Sequence, residues 1–474
     1  MTTMQTDGRG NKFTRDLGIY AIGNLGAKLI TFLLVPLYTY YISDPSDFGY
    51  YDICQTVVFF LCPLVCLQLN EGGFRFLIET DDERRHKKVV TYVLSSLVRN
   101  SLIVVCLGVV LGFFIDIRYF GYIIAYTVTF SIYDVEMQLI RGLGKIKTFM
   151  MMSIFNAFSI GIFSILTVVV FDMGVPGIFI ANIATRFVSI AVIEWRTSLF
   201  SRYFSSSLRD KNLSRQLLRY CLPLVPLVLL QCIFSGNNVF FIMEFLGLEE
   251  NGIYAVLAKF TGMILVLVNI FYQTWQQNAI EQYNSSDRDV LFSKIFNNYF
   301  YLLCMMVALF PFFLRLNYFW LVSGEYEESA QYLFLNSTVV MFVALTLFFD
   351  VAYQCSKKTS RLIPGIVLAV IINLSGNYFM VRYFGLNGII VSNLFTYVVL
   401  LAYRVIDSRK YMKVSFSRKN YVSVGMMAAC GILYYLPHSV LSDLIVLICS
   451  GVFFVLFAPG GLKRAAVKKM PFLH

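Results

Sequence analysis

The sequence predicts an all-α integral membrane protein of about fourteen transmembrane helices, arranged as two pseudo-symmetric six-helix lobes followed by two C-terminal helices. Three observations carry this expectation. The 474-residue chain is 58% apolar and only 14% charged, where soluble domains run at about 45–50% apolar and about 25% charged. Its apolar residues gather in long stretches near 17–42, 49–70, 89–114, 118–140, 148–171, 175–194, 215–240, 251–275, 291–314, 330–352, 361–381, 386–406, 419–436 and 442–458. Most of these approach the ~20 residues that a helix needs to cross a ~30 Å hydrocarbon core. The lysines and arginines fall mainly in every second gap, as in Arg84, Arg85, Lys87 and Lys88, then Arg141, Lys145 and Lys147, then Arg196, Arg202, Arg209 and Lys211. The alternate gaps hold only Arg118, Arg315 and Arg382. Basic residues stay on the cytoplasmic side, so this alternation sets the topology, with both termini cytoplasmic.

Each stretch reads as a helix because backbone groups in lipid must be satisfied within their own segment. The polar first 16 residues and the length of the first stretch argue against a cleaved leader. After the sixth stretch comes the longest cytoplasmic gap, 195–214, a Ser/Arg-rich linker that divides an N-terminal lobe (1–206) from a C-terminal lobe (207–410). Residues 411–474 carry the last two helices and a basic tail. The lobes repeat one another. DFGYYDI around Tyr51 is echoed by ENGIYAV around Tyr254, at an offset of 203. Gly174, Gly177 and Asn182 recur as Gly385, Gly388 and Asn393, at an offset of 211. Six helices per lobe is an even number, so the repeat is parallel, about an axis along the membrane normal. Helix breakers (Gly23, Gly26 and Pro36 in the first stretch; Pro223, Pro226 and Gly236 in the seventh) mark either bending elements or close packing.

Several chemistries find little support. Ten cysteines without a C-x-x-C pair and three scattered histidines, His86, His438 and His474, argue against metal binding and disulfides. The nearest approach to a phosphate-binding G-x-x-x-x-G-K-[ST] loop is Gly142-Leu143-Gly144-Lys145, and position 139 is leucine. No nucleophile–base pair stands out, so an enzyme is not expected, and no cofactor is implied. The net charge of +11 is spread over short regions rather than gathered into a nucleic-acid patch.

Four cations lie where cations are costly. Lys28, Arg99, Arg186 and Lys259 sit within the first, third, sixth and eighth stretches, roughly 12–16 Å from a helix end. Each costs at least ~2.5–3.5 kcal/mol in the bilayer core. The intramembrane carboxylates are Asp52, Asp134, Glu136 and Asp350, and only Asp134 and Glu136 in the fourth stretch approach the same depth. The excess positive charge points to an anion-binding cavity. Alternatively, Arg99 pairs with Asp134 or Glu136 and the others snorkel. Tyr272 and Trp275, beside Gln276 and Gln277, are candidates for stacking on a sugar.

The chain resembles the polysaccharide transport family, the O-antigen and capsule repeat-unit flippases of the multidrug/oligosaccharidyl-lipid/polysaccharide exporter superfamily. The segments that carry the resemblance are NLGAKLITFLLVPLYTYYISDPSDFGYY (Asn24 to Tyr51), LNEGGFRF (Leu69 to Phe76), LRYCLPLVP (Leu218 to Pro226), FLGLEENGIYAVLAK (Phe245 to Lys259), and the segment from Lys358 to Asn393 that ends in FGLNGIIVSN. In order, they span about the first 406 residues. The resemblance implies V-shaped lobes around a central cavity that opens alternately to each side of a bacterial inner membrane. It also implies an undecaprenyl-pyrophosphate-linked oligosaccharide as cargo, and a polysaccharide polymerase and chain-length regulator as partners. Cations on the first, second and eighth helices are common in the family, and here Lys28, Arg75 and Lys259 occupy comparable helices. With Arg186 and Arg99 they form the expected pyrophosphate site, and Asp134 and Glu136 are the candidates for ion coupling. A lipid II flippase or a drug/cation antiporter of the same superfamily, and a membrane polysaccharide polymerase or ligase, are the alternatives.

Overall fold

The computed structural model describes residue 30 and residues 33–79, 82–114, 116–205, 210–356, 358–437 and 439–457. Helices occur in all fourteen expected stretches, and no strand occurs among the described residues. Nine helices among the described residues are long and apolar enough to cross a membrane. The chain is a multi-pass membrane protein.

Two compact units emerge, Met1–Phe240 and Phe241–His474. The first holds α1 (33–41), α2 (Pro45–Cys66), α3 (Leu69–Ile78), α4 (Glu83–Gly112), α5 (Phe120–Gly142), α6 (Ile146–Ser164, continued by a π-turn at Ile165–Val170), α7 (Gly174–Thr197), α8 (Leu199–Tyr203), α9 (Lys211–Cys221) and most of α10 (Leu224–Phe245). The second holds α11 (Leu248–Gln282), α12 (Arg288–Leu321), α13 (Leu333–Cys355), α14 (Leu362–Ser408), α15 (Arg418–Tyr435) and α16 (Val440–Leu456).

The division falls at 240/241 rather than at the expected 206/207, because α9 is bound to the first unit. Leu213, Leu217 and Cys221 on its apolar side are buried. Gly72 of α3 leaves them room: a Cβ there would lie 2.2 Å from Cys221 Sγ. Asp210 caps α9, accepting from the backbone N–H of Asn212 at 3.0 Å and of Leu213 at 3.2 Å. It also meets Lys88 Nζ at 3.0 Å. The Lys88 ammonium and these N–H groups hold the Asp210 carboxyl below its usual range, so the cap is lost only as pH falls through that lowered value. Pro223 then separates α9 from α10, as the breaker pattern predicts. The second stretch is likewise broken, at Leu67 (φ 48°) and Gln68 (φ 56°), into α2 and α3.

Ion pairs sort to the two ends of each unit. At the basic end of the first lie Lys88–Asp210 and, at 3.1 Å, Arg202–Glu83. At the other end Arg118 meets Asp47 at 2.8 Å. In the second unit, Arg404 of α14, 1% exposed, meets Asp350 of α13 at 2.8 Å and donates to the Leu362 carbonyl at 3.0 Å. This pair accounts for one of the intramembrane carboxylates. The last two helices, which the sequence left outside the repeat, pack on α12. Arg315 there forms a buried ion pair with Asp443 of α16, donates to the Tyr434 carbonyl of α15 at 2.8 Å, and lies 3.9 Å from the Tyr434 ring centroid.

The internal repeat is visible in backbone geometry. Gly174 and Gly385 both take left-handed φ, 57° and 56°, and each opens a helical segment. Three residues on, Gly177 and Gly388 pack against the preceding segment. A Cβ would lie 3.0 Å from the Thr167 carbonyl oxygen at Gly177, but 2.2 Å from that of Met380 at Gly388. Gly388→Ala is therefore expected to destabilise by about 1–3 kcal/mol through overpacking against fixed backbone. Gly177→Ala is expected to cost clearly less, and thermal melts of the two variants in detergent compare them directly.

The outer faces are apolar, with Phe113, Phe114, Phe187, Ile432 and Val455 all exposed, as lipid-facing surface must be.

Candidate anion-binding site

Helix α7 is anchored at its start. Thr167 Oγ1, on the π-turn that ends α6, donates to the Gly177 carbonyl at 2.8 Å. Such π-turns are frequent at functional sites. One turn after that clamp, Asn182 is buried and gathers the polar groups of three helices. Its Nδ2 donates to the Ile178 carbonyl at 2.9 Å and to Tyr51 Oη of α2 at 3.3 Å, while its Oδ1 accepts from Tyr126 Oη of α5 at 3.1 Å. Close by in sequence to Tyr51, Tyr38 Oη on α1 and Ser164 Oγ on α6 are 2.7 Å apart.

Arg186 stands one further turn along α7, 8% exposed. Its Nη1 donates to Asn182 Oδ1 at 3.0 Å and to the Asn182 carbonyl at 3.1 Å. The guanidinium lies 4.8 Å from the Tyr126 ring centroid and 4.9 Å from that of Phe130. Its partners are thus an amide, a carbonyl and two π-faces; among the described residues no carboxylate forms an ion pair with it. Cation–π contacts of this kind contribute about 0.5–2 kcal/mol each and leave the net charge in place. Among the described residues, Nε of Arg186 has no hydrogen-bond partner, and neither do Thr185 Oγ1 and Ser189 Oγ on α7 or Ser131 Oγ on α5, all buried. An unmatched buried polar group costs about 1–3 kcal/mol. A mid-helix cation with spare donors beside it is suited to an anion.

The matching node of the second unit lacks that charge. Asn393 accepts from Asn373 Nδ2 at 2.8 Å, and Thr396 takes the place of Thr185. At the offset of 211, Arg186 is replaced by Tyr397.

The other expected residues scatter. Lys28 lies outside the described residues. Lys259 is half-buried on α11. Arg99 is exposed on the outer face of α4, its Nη2 3.5 Å from Asn100 Oδ1. The alternative pairing of Arg99 with Asp134 or Glu136 does not form: Asp134 Oδ2 accepts from Asn70 Nδ2 at 2.8 Å, and Glu136 Oε2 is buried with no hydrogen-bond partner among the described residues. Arg75, at the end of α3, is exposed and pairs with Glu79 at 3.4 Å beside Tyr220. A carboxylate thus already neutralises it. Trp275 corrects the sugar-stacking expectation. It is 2% exposed, stacked on Phe348 at 4.4 Å, edge-on to Phe292, and donates Nε1 to the Phe348 carbonyl at 3.1 Å. No ring face is left for a ligand. Tyr272 is half-buried, and its Oη accepts from Gln354 Nε2 at 2.8 Å. Asn182, Tyr126 and Tyr51 complete the site; the Asn182/Asn393 and Tyr51/Tyr254 matches mark two of them in the sequence, and nothing there marks Tyr126.

Among the described residues, no group of three or more His, Cys, Asp or Glu side chains is placed to hold a metal ion. The profile of polysaccharide biosynthesis proteins matches residues 13–275. The chain belongs to that family. No curated protein is detectably similar to this family member in sequence. Solved structures share its fold. The lipid II flippase MurJ, in an inward closed conformation, aligns with a TM-score of 0.68 at 14% identity, covering 94% of this chain and 99% of that one. An inward-facing multidrug resistance MATE family transporter of the MOP superfamily gives 0.64 at 13% identity, covering 82% and 98%. A MOP superfamily transporter from Pyrococcus furiosus, described as having a binding pocket of reverse polarity, gives 0.56 at 12% identity, covering 84% and 96%.

Proposed function

We propose that this polysaccharide biosynthesis family member is a flippase of the bacterial inner membrane, both termini in the cytoplasm, that moves an undecaprenyl-pyrophosphate-linked oligosaccharide from the cytoplasmic to the periplasmic leaflet by alternating access. The observation that carries the reading is Arg186, buried midway along α7 with no counter-carboxylate among the described residues and an unmatched Nε. A pyrophosphate supplies the missing anion. Lys28 and Lys259 are assigned to the anionic part of the cargo, with Arg99 and Arg75 as lesser candidates and Tyr272 as the remaining sugar contact. Asp134 and Glu136 are assigned to ion coupling. A net cationic site disfavours export of cationic drugs.

The test is leaflet exchange in proteoliposomes with defined undecaprenyl-pyrophosphate-linked glycans. Exchange of the oligosaccharide substrate above protein-free vesicles is the expected result; its absence under any imposed ion gradient rejects the reading. The likeness to MurJ favours lipid II as the second candidate, and faster exchange of lipid II in the same vesicles would select it. In cells, Lys259→Gln is expected to deplete surface polysaccharide without lowering the amount of protein, as read by glycan staining and immunoblot.

A further inference from the structure

The second unit carries a cavity far along α13 from the Asp350–Arg404 pair, at the helix ends. The last turns of α12 and α15 meet there with a 3-10 connection, Gly324–Tyr332, that leads into α13. Between them lies a pocket of about 620 Å³, within the ~300–1,000 Å³ of small-molecule sites. Internal bonds hold its frame. Tyr434 Oη donates to the Ala330 carbonyl at 2.6 Å. Tyr318 Oη is hydrogen-bonded to Ser329 Oγ, which in turn donates to the Tyr326 carbonyl at 2.7 Å. The 3-10 connection is thus tied to α12 and to α15 by two buried tyrosines.

The walls combine open rings with uncompensated carboxylates. Phe319 and Tyr435 line the pocket and are 69% and 54% exposed. Glu327 and Glu328 line it too, both exposed and neither in an ion pair among the described residues. Glu328 Oε1 accepts only from the neutral Gln331, at 3.0 Å. Arg315, the cation of the lining, is already engaged: it pairs with Asp443 and lies on the Tyr434 ring. Arg315 and Asp443 cancel, so the charge left over is negative. An incoming anion finds no free positive group. An incoming cation finds carboxylates and π-faces, the same pair of contacts that Arg315 makes at the floor. Among the described residues no three His, Cys, Asp or Glu side chains are placed to hold a metal ion, which leaves an organic cation as the fitting occupant.

We propose that this pocket binds a small organic ammonium ion, its charge on Glu327 and Glu328 and its body against the rings of Tyr435 and Phe319. The site does not rest on the flippase reading and would stand if that reading failed. Glucosamine and N-acetylglucosamine share a ring and differ in the charge on one nitrogen; putrescine carries the charge without the ring. Ligand-observed NMR titration of the full-length protein compares the three, at mildly acidic pH where the amines are protonated and in a detergent free of sugar and amine groups. Glucosamine is expected to bind about tenfold more tightly than N-acetylglucosamine, the scale of one desolvated cation–π contact. Added salt is expected to weaken glucosamine and leave N-acetylglucosamine unchanged. Glu327→Gln combined with Glu328→Gln is expected to bring the two sugars within about twofold of each other, and Tyr435→Leu to weaken glucosamine about fivefold. These side chains are exposed, so the variants are expected to melt with the wild type. Putrescine binding as tightly as glucosamine assigns the pocket to free amines, and weaker putrescine binding assigns it to amine-bearing sugars; both keep the proposal. Equal binding of glucosamine and N-acetylglucosamine (a neutral-sugar site), no binding of either amine, or a preference for glucosamine that survives the double glutamine change would each overturn it.

Discussion

Replacing Arg186 by methionine is expected to slow leaflet exchange of a pyrophosphate-linked glycan by about 10- to 150-fold, the worth of one charge-assisted hydrogen-bonding contact at ~1.5–3 kcal/mol. The melting temperature is expected to stay level or rise. The two readouts together separate a binding role from a structural one. A buried cation that earns its place through a carboxylate partner leaves that partner stranded when removed, at a cost of about 3–5 kcal/mol. Among the described residues Arg186 has no such partner to strand; its contacts there are Asn182, Tyr126 and Phe130. Methionine keeps the volume between the two rings and removes a desolvated charge, a change that is often neutral or stabilising. Loss of transport with intact stability assigns Arg186 to the anion. Loss of stability with residual transport assigns it to the core. Arg186→Lys keeps the charge but not the planar fork, so partial exchange is expected.

The reverse signature is expected at Asp443. Asp443→Ala leaves Arg315 buried against Tyr434 without its carboxylate, which should destabilise the second unit by about 3–5 kcal/mol. The loss should appear as early release of α15 and α16 from α12 in hydrogen–deuterium exchange, since Arg315 holds both helices. The paired change Arg315→Met with Asp443→Leu removes both charges at once and should recover most of the loss. If the single and double variants melt together, the pair is not what fastens the C-terminal helices.

Much of this was legible in the sequence because lipid is a demanding solvent. Hydrocarbon thickness sets helix length, so the fourteen helical stretches could be read from spacing alone. The glycine repeat was equally plain, since Gly174 and Gly385 need a left-handed φ that other residues take at a cost. The orientation of a charge about its helix was not legible. Arg99 and Arg186 lie at similar depths, yet one faces the outer surface and the other the inside of its unit. That choice is made by neighbours on α5 and α8, distant in sequence. Trp275 shows the same limit: a tryptophan beside two glutamines suggests a sugar platform, and only the packing of Phe348 and Phe292 against it shows a ring already used. The linker, too, was read as a spacer from its polar composition, whereas Leu213, Leu217 and Cys221 at helical spacing fix α9 to α3.

Helix α14 runs for 47 residues with a single non-helical residue, Gly385. Two consecutive membrane passes that share one such residue have no slack between them. Any stroke that tilts the earlier pass must drag the later one along, like two arms of a bent lever. Spin labels placed on the two arms should therefore keep a constant separation through the proposed transport cycle, and a few flexible residues inserted at Gly385 should uncouple them.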